Sequence, residues 1–217
     1  MDLFVDLCGV VAPFLGVVCF LSPIPTIRKV EVDKSVGSLP LLPYSSMIAN
    51  ASVWVVYGLM KSIVSVWASN GAGVLLGAYY FTIYSHHSKN VDEVFFHRRV
   101  VSGIILLVLL MSMVLRKEVA SEIIGKMGVC FCVILFGSPL AALRTVVETK
   151  SAESIPLPFT VATLVNCTAW TTIGLWKFDY DFNIYFPNIL GVSCALAQIA
   201  LKIIYNKPVA DEKRLPS

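Results

Sequence analysis

The sequence predicts an all-α integral membrane protein with seven transmembrane helices, arranged as two parallel three-helix bundle repeats joined by a linker helix. Three observations predict this fold: the composition, the spacing of apolar segments and an internal repeat. Of the 217 residues, 57% are hydrophobic and 14% are charged, whereas a soluble globular domain carries about 25% charged residues. The charged residues are too few to cover a water-facing surface, which indicates that much of the surface faces lipid.

Seven apolar segments are long enough to span a bilayer, which takes about 20 residues of helix. They are predicted at 4–25, 40–60, 63–84, 99–115, 122–144, 156–176 and 183–205. The fourth is the shortest, and its core reads "VVSGIILLVLLMSMVL".

The connections between these segments alternate in charge, which predicts the orientation of the chain. One side carries twelve basic residues: Arg28, Lys29, Lys34, Lys89, Arg98, Arg99, Arg144, Lys150, Lys202, Lys207, Lys213 and Arg214. The other side carries four: Lys61, Arg116, Lys117 and Lys177, while Lys126 near a helix start belongs to neither. Because basic loops stay in the cytoplasm, the N-terminus is expected to be extracellular or lumenal and the C-terminus cytoplasmic.

The sequence repeats itself after a shift of 116 residues. The matched pairs include Ser22 with Ser138, Pro23 with Pro139, Arg28 with Arg144, Lys34 with Lys150, Pro40 with Pro156, Asn50 with Asn166, Trp54 with Trp170 and Gly58 with Gly174. A two-residue insertion in the second copy then aligns Asn70 with Asn188 and Gly73 with Gly191. The single span between the copies returns the chain to the same side of the membrane, so both copies run in the same direction.

The repeat predicts four regions along the chain. They are a first bundle at 1–88, a linker region with the fourth helix at 89–118, a second bundle at 119–206 and a disordered cytoplasmic tail at 207–217. Transporters are often built from such repeats, with the binding site between them and next to broken helices. Pro23 and Pro139 are therefore predicted to be paired hinges, since proline breaks helical hydrogen bonding.

Several motifs of this chain resemble those of the SWEET (MtN3/saliva) sugar transporters. They are "FLSPIPTIRKVEVDKSVGSLPLLPY", "NASVWVVYGL", "SNGAG", "SPLAALRTVVETKSAESIPLPF" and "YFPNILG", and the resemblance spans residues 10–205. It implies a bidirectional sugar uniporter that works by alternating access. The distantly related PQ-loop transporters of other small solutes are the alternative, but their Pro-Gln dipeptide occurs nowhere in this sequence.

Six neutral residues are predicted to bind the sugar: Asn50, Trp54, Asn70, Asn166, Trp170 and Asn188. A sugar presents hydroxyl groups and faces of C–H bonds, which suit an amide that donates and accepts hydrogen bonds and a flat indole ring. Asn50 and Trp54 are four residues apart and therefore share a helix face, and Asn166 and Trp170 repeat this spacing. Sucrose-moving members of the family have a smaller Ser pair at the positions that match 50 and 166, so the resemblance favours a hexose over a disaccharide.

The resemblance also implies gates. The intracellular gate is predicted at Pro23, Pro43, Pro139 and Pro156, although the repeat pairs Pro156 with Pro40 and leaves open which proline bends the second helix. Tyr57 and Asp179 match an extracellular gate pair, in which a phenol donates to a carboxylate; the alternative for Asp179 is an ordinary solvated loop residue.

The remaining patterns exclude other kinds of protein. No Asp, Glu, Lys or Arg lies in the centre of a predicted span, which argues against ion coupling and against an enzyme. A seven-helix receptor would suit the span count but not the duplication.

No cofactor, metal or nucleic acid is predicted; the expected partners are a sugar and the lipid bilayer. Related proteins often associate, which leaves a homo-oligomer open. The plasma membrane is the expected location, with an endomembrane as the alternative.

Overall fold

The computed structural model describes residues 2–135, 137–153 and 155–205, apart from the side chains of Ser138 and Pro139. All regular secondary structure in this part of the chain is helical. The helices are α1 (Asp2–Leu21), α2 (Ile24–Asp33), α3 (Leu42–Met60), α4 (Val64–His87), α5 (Val91–Val114), α6 (Lys117–Leu135), α7 (Gly137–Thr149), α8 (Leu157–Trp176) and α9 (Phe182–Tyr205).

These helices correspond in order to the seven predicted spans, with α1 and α2 together forming the first and α6 and α7 the fifth. The prediction of an all-helical fold with seven spans is therefore confirmed. The fourth span was predicted too short, since α5 begins at Val91 and not at 99. Its additional turns are polar but still helical, because Asn90 caps the helix by accepting a hydrogen bond from the Glu93 N–H at 3.2 Å.

The described surface is rich in large apolar side chains. Phe14, Leu75, Met113 and Ile203 are among those that are more than half exposed. By length and composition, the segments 2–33, 91–114, 117–149 and 182–205 are apolar enough to cross a membrane. Helix α3 buries eleven of its 19 residues inside the protein, so it has less need of lipid-facing apolar residues.

The chain divides into two compact units, Met1–Phe131 and Cys132–Ser217. The division falls within α6, whereas the sequence predicts region boundaries after 88 and 118, which remain predictions. In the first unit α4 packs against α1, α2 and α3, and α3 also packs against α5. In the second unit α9 packs against α7 and α8. The third span of each repeat is therefore its central packing element.

A glycine brings the second and third spans of each repeat into close contact. A Cβ on Gly58 would lie 2.7 Å from the backbone nitrogen of Trp67, and a Cβ on Gly174 would lie 3.0 Å from that of Tyr185. The two contacts are related by the same repeat. A side chain at either position would push the paired helices apart, which explains why glycine is present in both copies.

The duplication is also visible in the backbone. Lys34 follows α2 with a left-handed φ of 52°, and Lys150 follows α7 with a φ of 56°. Ser62 and Tyr180, which connect the second and third spans of their repeats, also have positive φ values of 59° and 57°. Non-glycine residues adopt this conformation infrequently, so its recurrence at matched positions supports the predicted repeat.

The first predicted hinge coincides with a break between α1 and α2. Pro23 has no N–H to donate to a preceding carbonyl. Just before it, the Ser22 N–H donates to Cys19 O, three residues back, at 3.2 Å. The Tyr80 hydroxyl donates to the carbonyl of Phe20 at 2.8 Å, which satisfies an acceptor at the end of α1. The matched position of the second copy, Phe136, lies outside the described residues, as does the side chain of Pro139.

The other predicted gate prolines lie at helix starts. Pro43 is the second residue of α3, Pro156 immediately precedes α8 and Pro158 is the second residue of α8. Pro40 lies before α3, so neither Pro40 nor Pro43 bends the second helix within its length. Proline is well tolerated in the first turn because the N–H groups there have no intrahelical acceptor. The predicted tail at 207–217 lies outside the described residues.

Candidate functional site

In the first unit, Asn50 and Trp54 lie one turn apart on α3, as predicted. Trp54 is buried, with 8% of its surface exposed. Its indole packs on the backbone of α6, where a Cβ on Gly128 would lie 2.8 Å from Trp54 Cζ2. The Tyr57 ring meets Trp54 edge-on, with centroids 5.5 Å apart at 85°. The Trp54 ring is therefore held in one orientation from two sides.

The predicted amides of the third spans have the same local geometry in both units. Asn70 Nδ2 donates to the carbonyl of Val66 at 2.9 Å, and Asn188 Nδ2 donates to the carbonyl of Ile184 at 2.7 Å. Each bond reaches back one turn and orients the side chain. An amide has two N–H donors and one carbonyl acceptor, so each asparagine keeps hydrogen-bonding capacity beyond this bond.

The second pair of amides, Asn50 and Asn166, shares a different feature. The side-chain carbonyl oxygen of each is buried and accepts no hydrogen bond from any residue that the structure describes. Most buried polar atoms in proteins have a partner. A buried acceptor without one at both matched positions indicates a site suited to a hydrogen-bond donor from a ligand.

Contacts along the helices give the height of these residues. Gly58 of α3 meets Trp67 of α4, and Ile48 meets Gly77 ten residues further along both helices. Asn70 therefore lies level with residue 55, next to Trp54. Asn50 lies five residues from that level, which is about 7.5 Å at the helical rise.

The second unit repeats this arrangement. Gly174 meets Tyr185, and Thr160 Oγ1 donates to Gln198 Oε1 at 3.1 Å near the other end of the same helix pair. Asn188 accordingly lies level with residue 171, next to Trp170. Each unit thus places one indole and one third-span amide at the same height.

Each unit holds three of the six predicted residues. Asn50, Trp54 and Asn70 belong to the first unit, and Asn166, Trp170 and Asn188 to the second. A common site formed by all six remains a prediction. The predicted extracellular gate is also divided between the units: Tyr57 is fully buried in α3, whereas Asp179 is exposed in the connection before α9 and has a φ of 51°.

Two further residues lie near the candidate site but were not predicted from the sequence. The Phe20 ring lies against Gly73, where a Cβ would come within 2.7 Å of it, and Gly73 is one turn from Asn70. The repeat could have identified Phe20, because a shift of 116 aligns it with Phe136. The hydroxyl oxygen of Thr171 is buried and has no partner among the described residues, but its counterpart in the first copy is Val55, so the repeat gives no signal for it.

Comparison with known proteins identifies the family to which the chain belongs. The profile of the MtN3_slv family, described as sugar efflux transporters for intercellular exchange, matches residues 6–92 and 122–210. The two matched segments correspond to the two predicted repeats.

Among curated proteins, the chain is similar to the bidirectional sugar transporter SWEET7b of Oryza sativa subsp. japonica. The two are 33% identical over 221 residues, which cover 96% of this chain and 80% of the relative. The bidirectional sugar transporter SWEET7 of Arabidopsis thaliana is 30% identical over 219 residues, covering 95% of this chain and 83% of that protein.

A solved structure has the same fold. The structure of a eukaryotic SWEET transporter, determined at 3.7 Å resolution, superposes with a TM-score of 0.84 over 94% of this chain and 98% of that one. Its sequence identity is 24%, so this likeness establishes the fold.

Proposed function

This chain belongs to the MtN3/saliva (SWEET) family of sugar transporters, and on that premise we propose that it carries a sugar across a membrane in both directions, down the sugar gradient. The proposal agrees with the identity of its relatives, which are named bidirectional sugar transporters. It also agrees with the chemistry of the candidate residues, which are neutral amides and indoles at matched heights in the two units.

The observation that carries the proposal is the pair of buried acceptors on Asn50 and Asn166. A sugar hydroxyl is a donor as well as an acceptor. Different hydroxyl groups of the sugar would donate to these two carbonyl oxygens and accept from the remaining N–H groups of Asn70 and Asn188. The indoles of Trp54 and Trp170 would cover the apolar C–H faces of the ring.

We further propose that the substrate is a hexose rather than a disaccharide. Asparagine at both 50 and 166 occupies more volume than the serine pair that sucrose-moving members of the family have at the matching positions. Larger side chains would leave less room for the sugar, which would suit one sugar ring better than two.

Alternating access would come from rocking of the two bundles about a site near the middle of the membrane. The break at Pro23 supports this part of the proposal, because it separates α1 from α2 at a point where the backbone has lost a hydrogen bond. Pro43, Pro139 and Pro156 would complete the intracellular gate, and Tyr57 with Asp179 the extracellular one.

The excess of basic residues in one set of connections supports a cytoplasmic C-terminus and an extracellular N-terminus. We place the protein in the plasma membrane as part of the same proposal. The orientation would be tested by introducing a single cysteine at the N-terminus of the protein and labelling it in intact cells.

The proposal is tested by counterflow of labelled glucose in proteoliposomes, with a panel of unlabelled hexoses and disaccharides as competitors. The expected result is counterflow that hexoses suppress more strongly than disaccharides. If no sugar of the panel supported or suppressed counterflow, the proposed function would be contradicted. Stronger suppression by a disaccharide would contradict only the choice of a hexose.

The site is tested by Asn70→Ala and Asn188→Ala, both of which are expected to abolish counterflow while leaving the amount of folded protein unchanged. Ser193→Ala is the matched control, because Ser193 lies exposed on α9 and its hydroxyl also bonds back one turn, to Ile189 O at 2.9 Å. Wild-type counterflow in both asparagine variants would show that the site lies elsewhere.

A further inference from the structure

A groove outside the candidate sugar site lies between α3, α4 and α5 of the first unit. Its volume is about 490 Å³. Ile48, Phe81 and Val101 contribute apolar walls, and Ser85, His86 and Arg98 contribute polar groups. The groove is thus apolar along its length and cationic at the end where α4 finishes and α5 begins.

Arg98 gives this groove its charge. Its guanidinium lies over the Phe95 ring, 5.4 Å from the centroid, a cation–π contact that holds the group without neutralising it. Within the described chain, no carboxylate forms a salt bridge with Arg98. Glu93, the acidic residue closest to it in sequence, accepts a hydrogen bond from Asn90 Nδ2 at 3.1 Å.

The hydroxyl groups in the groove have a defined polarity. Thr82 Oγ1 donates to Ala78 O at 2.7 Å, and Ser85 Oγ donates to Phe81 O at 2.6 Å. Because each hydroxyl hydrogen is used within the helix, the oxygens are left to act as acceptors. The groove therefore combines a cation with acceptor oxygens, which suits a ligand that carries both an anion and hydrogen-bond donors.

We propose that this groove binds the headgroup of an anionic phospholipid such as phosphatidylserine. The phosphate would bind the guanidinium of Arg98, whose fork of N–H donors matches phosphate oxygens. The serine ammonium would donate to the hydroxyl oxygens of Thr82 and Ser85, and the upper part of an acyl chain would lie along the apolar wall.

The position of the groove in the chain fits a lipid of the inner leaflet. His86 lies in the last turn of α4, and Arg98 lies in α5 two residues before its apolar segment begins at Val100, so both are near one border of the membrane-spanning region. This is the side that the basic connections predict to be cytoplasmic, where anionic lipids are concentrated and basic pockets between helices bind lipid headgroups.

The test is thermal melting of the full-length protein in a neutral detergent, titrated with dioctanoyl phosphatidylserine, dioctanoyl phosphatidylcholine or inorganic phosphate. Phosphatidylserine is expected to raise the melting temperature in a saturable way, and the other two probes are not. Equal effects of phosphatidylcholine would overturn the proposal. A saturable effect of inorganic phosphate that matches that of phosphatidylserine would replace the lipid with a free anion and would also overturn it.

Arg98→Gln is expected to weaken phosphatidylserine binding by about tenfold or more, which corresponds to the loss of one charge-assisted contact. Arg99→Gln is the matched control, because this neighbouring residue has the same charge and exposure but does not line the groove. Equal losses in both variants would mean that only general charge attraction is involved, against the proposal.

Ser102→Phe provides a second variant that leaves all charges in place and fills the groove from an exposed position. It is expected to weaken phosphatidylserine binding as well, and unchanged binding would exclude the groove as the site. Sugar counterflow in pure phosphatidylcholine liposomes is expected to be unchanged in all three variants, so the lipid site and the sugar site can fail independently.

Discussion

At the level of single residues, Asn50 is informative because its side-chain carbonyl is buried and unpaired among the described residues. An unsatisfied buried acceptor costs about 1–3 kcal/mol, and such a cost persists at two matched positions of this chain. An asparagine that served only to stabilise the fold would be expected to have a partner. Asn50 has none among the described residues, which supports the proposal that its partner is the transported sugar.

Asn50→Leu is therefore expected to leave the melting temperature of the sugar-free protein unchanged or slightly higher, because it removes a buried polar group without removing a bond. The half-saturating sugar concentration in counterflow is expected to rise about tenfold, the equivalent of one good hydrogen bond. Both quantities can be measured on the same purified protein.

Asn90→Leu serves as the control with the opposite result. Asn90 caps α5, and the loss of such a cap costs about 1 kcal/mol of stability, while sugar affinity should not change. If Asn50→Leu instead lowered the melting temperature as Asn90→Leu does and left the affinity unaltered, Asn50 would be a structural residue.

At the level of the helices, the two repeats have the same backbone arrangement but differ in side-chain chemistry. Tyr44, Tyr80 and Tyr84 form an aromatic cluster in the first unit, with ring centroids 6.1 and 6.0 Å from Tyr44. The residues at the matched positions of the second unit are Thr160, Gln198 and Lys202. Tyr84 OH donates to Leu39 O at 2.7 Å, and Lys202 Nζ donates to Ala152 O at 2.7 Å. The third span is thus tied to the same preceding connection in both units, by a phenol in one and an ammonium in the other.

The left-handed residues that end α2 and α7 give a prediction for helix ends. A non-glycine residue in this conformation costs about 1 kcal/mol relative to glycine, so Lys34→Gly is expected to stabilise the protein by about that amount. Lys150→Gly is expected to gain less. It would also lose the contact of Lys150 Nζ with Tyr205, whose hydroxyl is 3.3 Å away and whose ring centroid is 5.2 Å away.

Denaturation of the two variants in detergent would measure the difference. Equal stabilisation would mean that the contact between Lys150 and Tyr205 contributes nothing to stability. Destabilisation by Lys34→Gly would contradict the assignment of the left-handed conformation to Lys34.

At the level of the whole molecule, the distribution of charged residues among the helices leads to a prediction of how transport is driven. Helices α3, α4 and α8 contain no Asp, Glu, Lys or Arg. Lys126 lies within α6, but it is exposed and forms a salt bridge with Glu122 at 2.9 Å. Proton- or sodium-coupled carriers generally need acidic or basic groups at depth, and the histidines of these helices, His86 and His87, lie in the last turn of α4.

Sugar uptake into proteoliposomes is accordingly expected to be independent of an imposed pH gradient or membrane potential. Initial rates with and without a gradient of one pH unit should agree within error, and a valinomycin-induced potential should not alter them. Strong stimulation by the proton gradient would show that the transporter is coupled, even if the sugar-binding residues are correct.

Much of the architecture follows from the sequence alone. The apolar runs, the recurrence after 116 residues and the family motifs predict seven helices and two repeats, which the structure and the family comparison confirm. The pairs Asn50 with Asn166 and Asn70 with Asn188 could be named for the same reason, since a duplication places matched residues at matched positions. These features depend on local composition and on order along the chain.

Other features were decided only by tertiary structure, because they depend on distances between residues far apart in the sequence. No pattern predicts that Tyr80 satisfies the carbonyl at the α1 break, that Trp54 lies on Gly128, or that Arg98 faces a groove beside Phe81. Whether a buried amide has a partner is likewise a property of packing, since the donor can come from any helix. The sequence therefore determined which residues are candidates, and the packing of the helices decided which of their polar atoms remain available to a ligand.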